Sequence, residues 1–353
     1  MPRARTANRR FGVRALVLTS ALMMVPIAGV AGVAAAQPSG GAPSVPNVTS
    51  EDGSKIVSIE QRAPQRLRIT VHSTAMDRDI MLSVLRPADT KKPAPTLYLL
   101  NGGGGGEDGA TWGIQTDYIN FFADKHVNVV TPLAGKWSYY TDWVNTDPKL
   151  GNNKWQTFLT QEVPPLIDAA LDTTKVNAIA GLSTSGTSVF NLAIAAPGLY
   201  KGIGAYSGCA QTSDLMGQEF VKTVVNVWGE GDVTNMWGPL NGPGWVANDP
   251  LVHADKLRGH AIYVSSGSGL PGPHDTLANP AIKGSVDVLA NQIIVGGAIE
   301  AATNQCSHNL AARLGQLGIP ATFDFKPAGT HSWNYWEDDL HNSWPVLAQS
   351  MGI

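Results

Sequence analysis

The chain has 353 residues, 25 Lys+Arg against 28 Asp+Glu, a formal charge of −3 and only 15% charged residues. That length buries a large core without help from a metal or disulfide, and the slight acidic balance leaves no basic stripe to bind nucleic acid. Two Cys exclude a disulfide-rich scaffold and a cysteine zinc cluster; neither a metal nor an organic cofactor is expected.

The N-terminus carries Arg3, Arg5, Arg9, Arg10 and Arg14, then an almost wholly apolar run from Ala15 to Val33, then three alanines at 34–36. A basic region, an apolar stretch and small residues at the A-x-A positions read as a secretory signal peptide over 1–36. A lead-in rich in Pro, Gly and Ser follows over 37–51. Residues 52–353 are then expected as a single exported domain, soluble or peripherally bound, because no second run of spanning length is read.

Strands are expected at Lys55–Glu60, Arg66–Val71 and Asp79–Leu85, the last two alternating as an antiparallel pair. Thr96–Leu100 is continuously apolar apart from its first residue, as a buried central strand should be, and Val127–Thr131 is read as another such strand. Trp155–Leu171 has helical spacing, Val176–Ala180 is a strand, and Ser183–Ala196 is a helix stopped by Pro197 and Gly198. Strands Gly202–Tyr206 and Ala261–Ser265, helix Ile299–Leu317, strand Ala321–Phe325 and helix Trp336–Leu347 complete the series, with Pro345 leaving the last turn open. This alternation predicts an α/β fold: a doubly wound, mostly parallel sheet with antiparallel N-terminal strands. The aperiodic stretch 211–249, rich in Gly, Trp and Asn, reads as a small inserted cap.

The sharpest local signal is the strand running into GLSTSG at 181–186 and then into a helix. The α/β-hydrolase fold places a nucleophilic serine at such an elbow, where small neighbours let strand and helix cross closely. Ser183 fits as nucleophile. Its rival Ser185 lacks a glycine two positions before it. The five glycines at 102–106 follow a central strand, where this fold draws one oxyanion donor; the Gly103 and Thr184 N–H groups are the expected pair. A serine needs a histidine base, and the base needs an acid to fix its tautomer. Of eight His, His331 lies in the turn-rich loop after the last strand, the place the fold reserves for the base; His308 and His341 lie on helices. For the acid, Asp275 after strand 261–265 narrowly leads, with Glu300 and Asp287 as alternatives. Trp112, Trp137, Trp237 and Trp333 are candidates for apolar or sugar-stacking surface around the cleft.

Beyond these residues, the chain resembles the mycolyltransferases of the mycobacterial and corynebacterial cell envelope, the antigen 85 group. The matching motifs are LYLLNG (97–102), YTDW (140–143), KWQTFLT (154–160), GLS (181–183), MWGP (236–239), NDP (248–250) and GTHSW (329–333) followed by Tyr335 and Trp336. The resemblance implies an α/β-hydrolase fold, a catalytic set of Ser183, Glu300 and His331, and oxyanion donors at Gly103 and Thr184. It thereby moves the expected acid from Asp275 to Glu300. It implies substrate-binding roles for Trp333, Tyr140, Asp142 and Trp237. Two positions depart: Asn101 replaces an aspartate and Gly104 an arginine, which implies altered sugar recognition there.

The implied activity is transfer of a mycolyl (corynomycolyl-type) chain from trehalose monomycolate to a second trehalose monomycolate or to cell-wall arabinan, through a serine acyl-enzyme. The implied partners are trehalose mycolates and arabinogalactan, with peripheral contact to the mycolate-rich envelope and a monomeric state. A secreted carboxylesterase and a noncatalytic envelope-binding protein are the alternatives. Finally, an exported chain with two Cys can close one bond. Cys209 follows a strand and Cys306 lies on the helix of Glu300, so a Cys209–Cys306 disulfide is expected.

Overall fold

The structure, a computed structural model, describes residues 42–353. The expected signal peptide and the first residues of the lead-in lie outside the described residues. The antiparallel start forms where side chains alternate. Strand β1 (Lys55–Ala63) pairs with β2 (Arg66–Ser73), and β2 with β3 (Arg78–Leu85). In β2, Leu67, Ile69 and Val71 point inward while Arg68, Thr70 and His72 alternate with them.

The remaining strands pair with one another in parallel, β5 also joining β3 antiparallel, and all but the half-exposed edge strand β9 are buried or nearly so: β4 (Thr96–Leu100), β5 (Asn128–Pro132), β6 (Asn177–Leu182), β7 (Tyr200–Tyr206), β8 (Ala261–Ser266) and β9 (Thr322–Phe325). Their order across the sheet is β1-β2-β3-β5-β4-β6-β7-β8-β9. β5 and β6 flank β4, so the winding reverses there. The crevice above the carboxyl ends of β4 and β6 is the topological switch point, where open α/β sheets bind ligands.

Helices cover both faces. One core packs helix α1 (Val163–Leu171), helix α2 (Thr184–Ala195) and helix α3 (Gly297–Gln316) against the sheet through Leu166, Ile167, Val189, Phe190, Leu310 and Leu314. The opposite core seats helix α4 (Trp333–Met351) through Trp336, Leu340, Leu347 and Met351. α4 begins earlier and ends later than its apolar pattern predicts. Exposed Pro345 sits inside it, where the lost N–H faces solvent and tertiary packing outweighs the local break. α3 is also longer than expected, because Val286–Asn291 and a π-helical turn Gln292–Gly296 run straight into it. That run, Val286–Gln316, is long and apolar enough to span a bilayer by length and composition. It packs Glu300, Cys306 and Leu310 into the domain instead.

The segment expected as a cap has its own small core. Val221, Val225, Met236, Trp237 and Trp245 pack with Tyr139 and Trp143. One carboxylate closes the segment on itself and another ties it to the body. Asp249 accepts from the Thr212 and Ser213 amides, and Asp147 from the Asp232 amide and Asn235 Nδ2. Cys209, just past β7, and Cys306 on α3 are joined as a disulfide, 97 positions apart in sequence. Closing such a loop restricts the unfolded chain by about 4 to 5 kcal/mol at most. Replacing both Cys by Ser should lower the urea midpoint, and activity should fall at lower urea than global structure, since α3 loosens first. Coincident loss of the two would contradict this.

Candidate active site

β6 ends in Gly181 and Leu182, and the chain turns at Ser183 with φ 55° and ψ −124°. A side chain rarely adopts this backbone, and such strain is held in place only by dense surroundings. Gly181 cannot be larger: a Cβ there would lie 2.5 Å from Ser185 Oγ. Ser185 is fully buried inside the elbow, accepts from the Leu182 amide at 2.9 Å and donates to the Leu182 carbonyl at 2.9 Å. The serine at the position of the usual second glycine is thus a brace for the turn and not an accessible nucleophile.

Ser183 Oγ lies 2.8 Å from His331 Nε2, and His331 Nδ1 lies 2.8 Å from Glu300 Oε2. The other carboxylate oxygen accepts from Ser207 Oγ at 2.8 Å and from the Gly267 amide at 2.7 Å. Ser207 Oγ accepts in turn from Trp336 Nε1 at 3.0 Å, so its own proton is directed to Glu300. The Trp336 indole also stands edge-on to the imidazole, 4.8 Å between centroids. Glu300 is 1% exposed, and a buried carboxylate with three donors is fixed in place. The row can move a proton from the serine to the histidine while the carboxylate holds the tautomer.

Above Ser183, the Gly103 N–H has no protein acceptor among the described residues, and Thr184 is the first residue of α2, where the N–H lacks an intrahelical acceptor. Gly103 is pressed against Trp137: a Cβ there would lie 2.7 Å from the indole. The Trp137 amide donates to the Gly103 carbonyl at 2.7 Å. Trp137, Tyr139 and Tyr140 all have positive φ, so the strap that supports the glycine loop is itself strained. From here a cleft of about 430 Å³ opens, bounded by Tyr139, Phe220, Val224, Trp228, Ile299 and Ala302. Its wall is apolar. Burial pushes the Tyr139 phenol up, so that ring stays neutral. The π-helical turn Thr223–Trp228 forms part of this wall, and such turns recur at functional sites.

Several expected roles do not match the placements. Asp275 does not touch His331. Its oxygens accept from Thr330 Oγ1, Gln292 Nε2, the Gly272 amide and Tyr335 OH. Asp287 is exposed at the start of the helix over 286–291. Asn101 is fully buried and spends its amide on the Pro132 carbonyl and the Trp112 amide, inside the protein. Tyr140 packs on Trp155 in the core, and Asp142 accepts from the amide and hydroxyl of Thr157. Trp237 belongs to the cap core, Trp112 is fully buried, and Trp333 stacks edge-on with Trp112 and Trp336. Of the expected substrate-binding positions, Gly104 lines the cleft, with the Asp108 carboxylate standing where its side chain would go.

Asn101→Asp should therefore cost about 1 to 3 kcal/mol of stability, because a carboxylate would face the Pro132 carbonyl. Trehalose affinity should not change; a tighter KM for trehalose would restore the sugar-binding role. Trp137 lines the cleft, as its sequence context suggests, but its support of the glycine loop and the roles of Ser207 and Gly267 are not legible in the sequence. Each acts through an atom whose partner lies far away in sequence, a pairing that spacing does not carry.

A hydrolase sheet with a strained serine elbow at its switch point places this protein among the serine hydrolases of the α/β-hydrolase fold. A family described as "Putative esterase" matches residues 73–346. The diacylglycerol acyltransferase/mycolyltransferase Ag85A of Mycobacterium tuberculosis is 30% identical over 295 residues, covering 80% of this chain and 81% of that protein. Ag85B of Mycobacterium avium is 29% identical over 98% of this chain and 96% of its own length. The crystal structure of Mycobacterium tuberculosis MPT51 superposes with a TM-score of 0.65 at 24% identity, covering 79% of this chain and 96% of that one, and shares the fold. The chain belongs to the antigen 85 mycolyltransferase family of esterases.

Proposed function

We propose that the protein is an exported acyltransferase that moves a mycolyl (corynomycolyl-type) chain from trehalose monomycolate to a second trehalose monomycolate or to cell-wall arabinan. The observation that carries this reading is the hydrogen-bonded row Ser183–His331–Glu300 opening onto an apolar cleft. Ser183 Oγ attacks the ester carbonyl and His331 takes its proton. The Gly103 and Thr184 N–H groups receive the oxyanion. The tetrahedral centre collapses, the proton passes from His331 to the departing sugar oxygen, and the acyl chain remains on Ser183. An acceptor hydroxyl then gives its proton to His331 and attacks the acyl carbonyl; the second tetrahedral centre breaks the bond to Ser183 Oγ, which takes the proton back from His331. The apolar wall formed by Phe220, Val224, Trp228 and Ile299 suits an alkyl chain. Work outside the cell, at the envelope, fits the expected signal peptide and the disulfide.

The test is purified trehalose monomycolate with and without added sugar acceptor. Dimycolate or acylated arabinan as the main product supports transfer. Free mycolate at the same rate in both arms would instead make this a secreted carboxylesterase of the same family.

A further inference from the structure

The carboxylate that loses the role of triad acid retains an unusual environment. Asp275 is 7% exposed and its two oxygens accept four hydrogen bonds. Oδ1 takes Thr330 Oγ1 at 2.6 Å and Gln292 Nε2 at 2.7 Å. Oδ2 takes the Gly272 amide at 2.8 Å and Tyr335 OH at 2.7 Å. Burial pulls this carboxyl upward in pKa, but the donors outweigh it and hold it below the usual range, so it is ionised when it receives them.

The four donors come from separate parts of the fold. Thr330 immediately precedes His331, and Tyr335 lies in the first turn of α4 just after it. Gln292 lies on the continuous helical run that carries Glu300. One oxygen of Asp275 therefore joins the histidine loop to the acid's helix, and the other joins the far end of that loop to the loop after β8. The His331 amide adds one direct tie to the helix, donating to the Gly296 carbonyl at 3.1 Å.

We propose that Asp275 is a positioning residue, which sets the separation of His331 from Glu300 and Ser183 by clamping the histidine loop onto the helix of the acid. This rests on the proposed serine mechanism and adds a residue to it that touches neither substrate nor imidazole. The clamp is geometric, so an acceptor matters more than a charge. In an Asp275→Asn variant, the side-chain oxygen can keep the Gly272 amide, which can only donate. The new amide nitrogen then meets the Thr330 hydroxyl, which can turn to accept, and the Gln292 amide, which can flip. A triad acid behaves differently, because an amide there imposes the wrong histidine tautomer.

The experiment compares wild type, Ser183→Ala, Asp275→Ala, Asp275→Asn, Thr330→Val and the double variant Asp275→Ala/Thr330→Val. Steady-state hydrolysis of p-nitrophenyl butyrate and the rate of labelling by a fluorophosphonate are the readouts, with far-UV circular dichroism as the check on folding. Asp275→Ala should lower kcat and the labelling rate on the order of 30- to 100-fold, as expected for a misplaced base, with KM within about twofold. Asp275→Asn should return to within about fivefold of wild type. Thr330→Val removes one link and leaves the loop backbone alone; it should lower kcat about 5- to 10-fold, and its effect should largely vanish when added to Asp275→Ala. If Asp275→Ala does not fold, Thr330→Val alone decides: wild-type kcat overturns the proposal. Asp275→Asn as impaired as Asp275→Ala also overturns it, by pointing to charge. Wild-type turnover and labelling that Ser183→Ala abolishes, with Asp275→Ala unaffected, would sink the clamp and leave the serine mechanism standing. No labelling of wild type would remove both.

Discussion

Ser183→Ala should reduce acyl transfer on the order of 10⁵- to 10⁶-fold while leaving the protein folded. The hydroxyl makes one contact, to His331 Nε2, and the methyl that remains fills the same elbow. Ser183 Oγ accepts no capping hydrogen bond from α2, so helix stability does not depend on it, and the unfolding free energy should stay within about 0.5 kcal/mol of wild type. His331→Gln should be similarly inactive, since no other histidine stands within reach of the serine. His274 pairs with Asp338, and His308 stacks on Phe325. The check is intact-protein mass spectrometry after a short exposure to trehalose monomycolate. Wild type should gain one acyl mass on the peptide holding Ser183, and neither variant should. An acylated Ser183→Ala protein would move the nucleophile elsewhere.

Much of the frame was legible in sequence because its signals are local. A short, largely apolar run such as Thr96–Leu100 fits a buried strand, and the structure places every residue of β4 inside. The elbow was legible because a strand, a small-residue turn and a helix must follow one another without a gap. The choice between Asp275 and Glu300 was not legible from spacing. Both lie near the carboxyl end of β8 in the fold, and what separates them is which neighbour each carboxylate faces. Asn101 shows the same limit. The family resemblance implied a sugar-recognition role for it, yet its side chain turns inward to the Pro132 carbonyl, 31 positions away. Sequence pattern reports which face of an element is apolar; it does not report where a polar side chain finds its partner. That is settled by long-range pairings such as Ser207 with Glu300, 93 positions apart.

Glu300→Gln should cost on the order of 10³- to 10⁴-fold in kcat, out of proportion to the loss of one charge, and the reason lies in the donors around the carboxylate. Oε1 receives the Gly267 amide and the Ser207 hydroxyl; Oε2 receives His331 Nδ1. A glutamine has one oxygen and one NH₂ to distribute over these two places. The Gly267 amide can only donate, and the Ser207 hydroxyl is committed by the Trp336 indole, which donates to its oxygen. The glutamine oxygen must therefore occupy the Oε1 side. Its NH₂ then faces His331 Nδ1, which must become an acceptor, and the ring proton moves to Nε2. In that tautomer Nε2 cannot take the Ser183 proton, so the base is lost with every heavy atom in place. Removing Ser207 should not lift the constraint: in Ser207→Ala/Glu300→Gln the Gly267 amide alone still holds the glutamine oxygen on the Oε1 side, so activity should stay low. The labelling rates of the two single variants and the double variant by a fluorophosphonate measure this directly. A double variant restored toward wild-type labelling, or a Glu300→Gln protein within tenfold of wild type, would show that the carboxylate does not fix the tautomer.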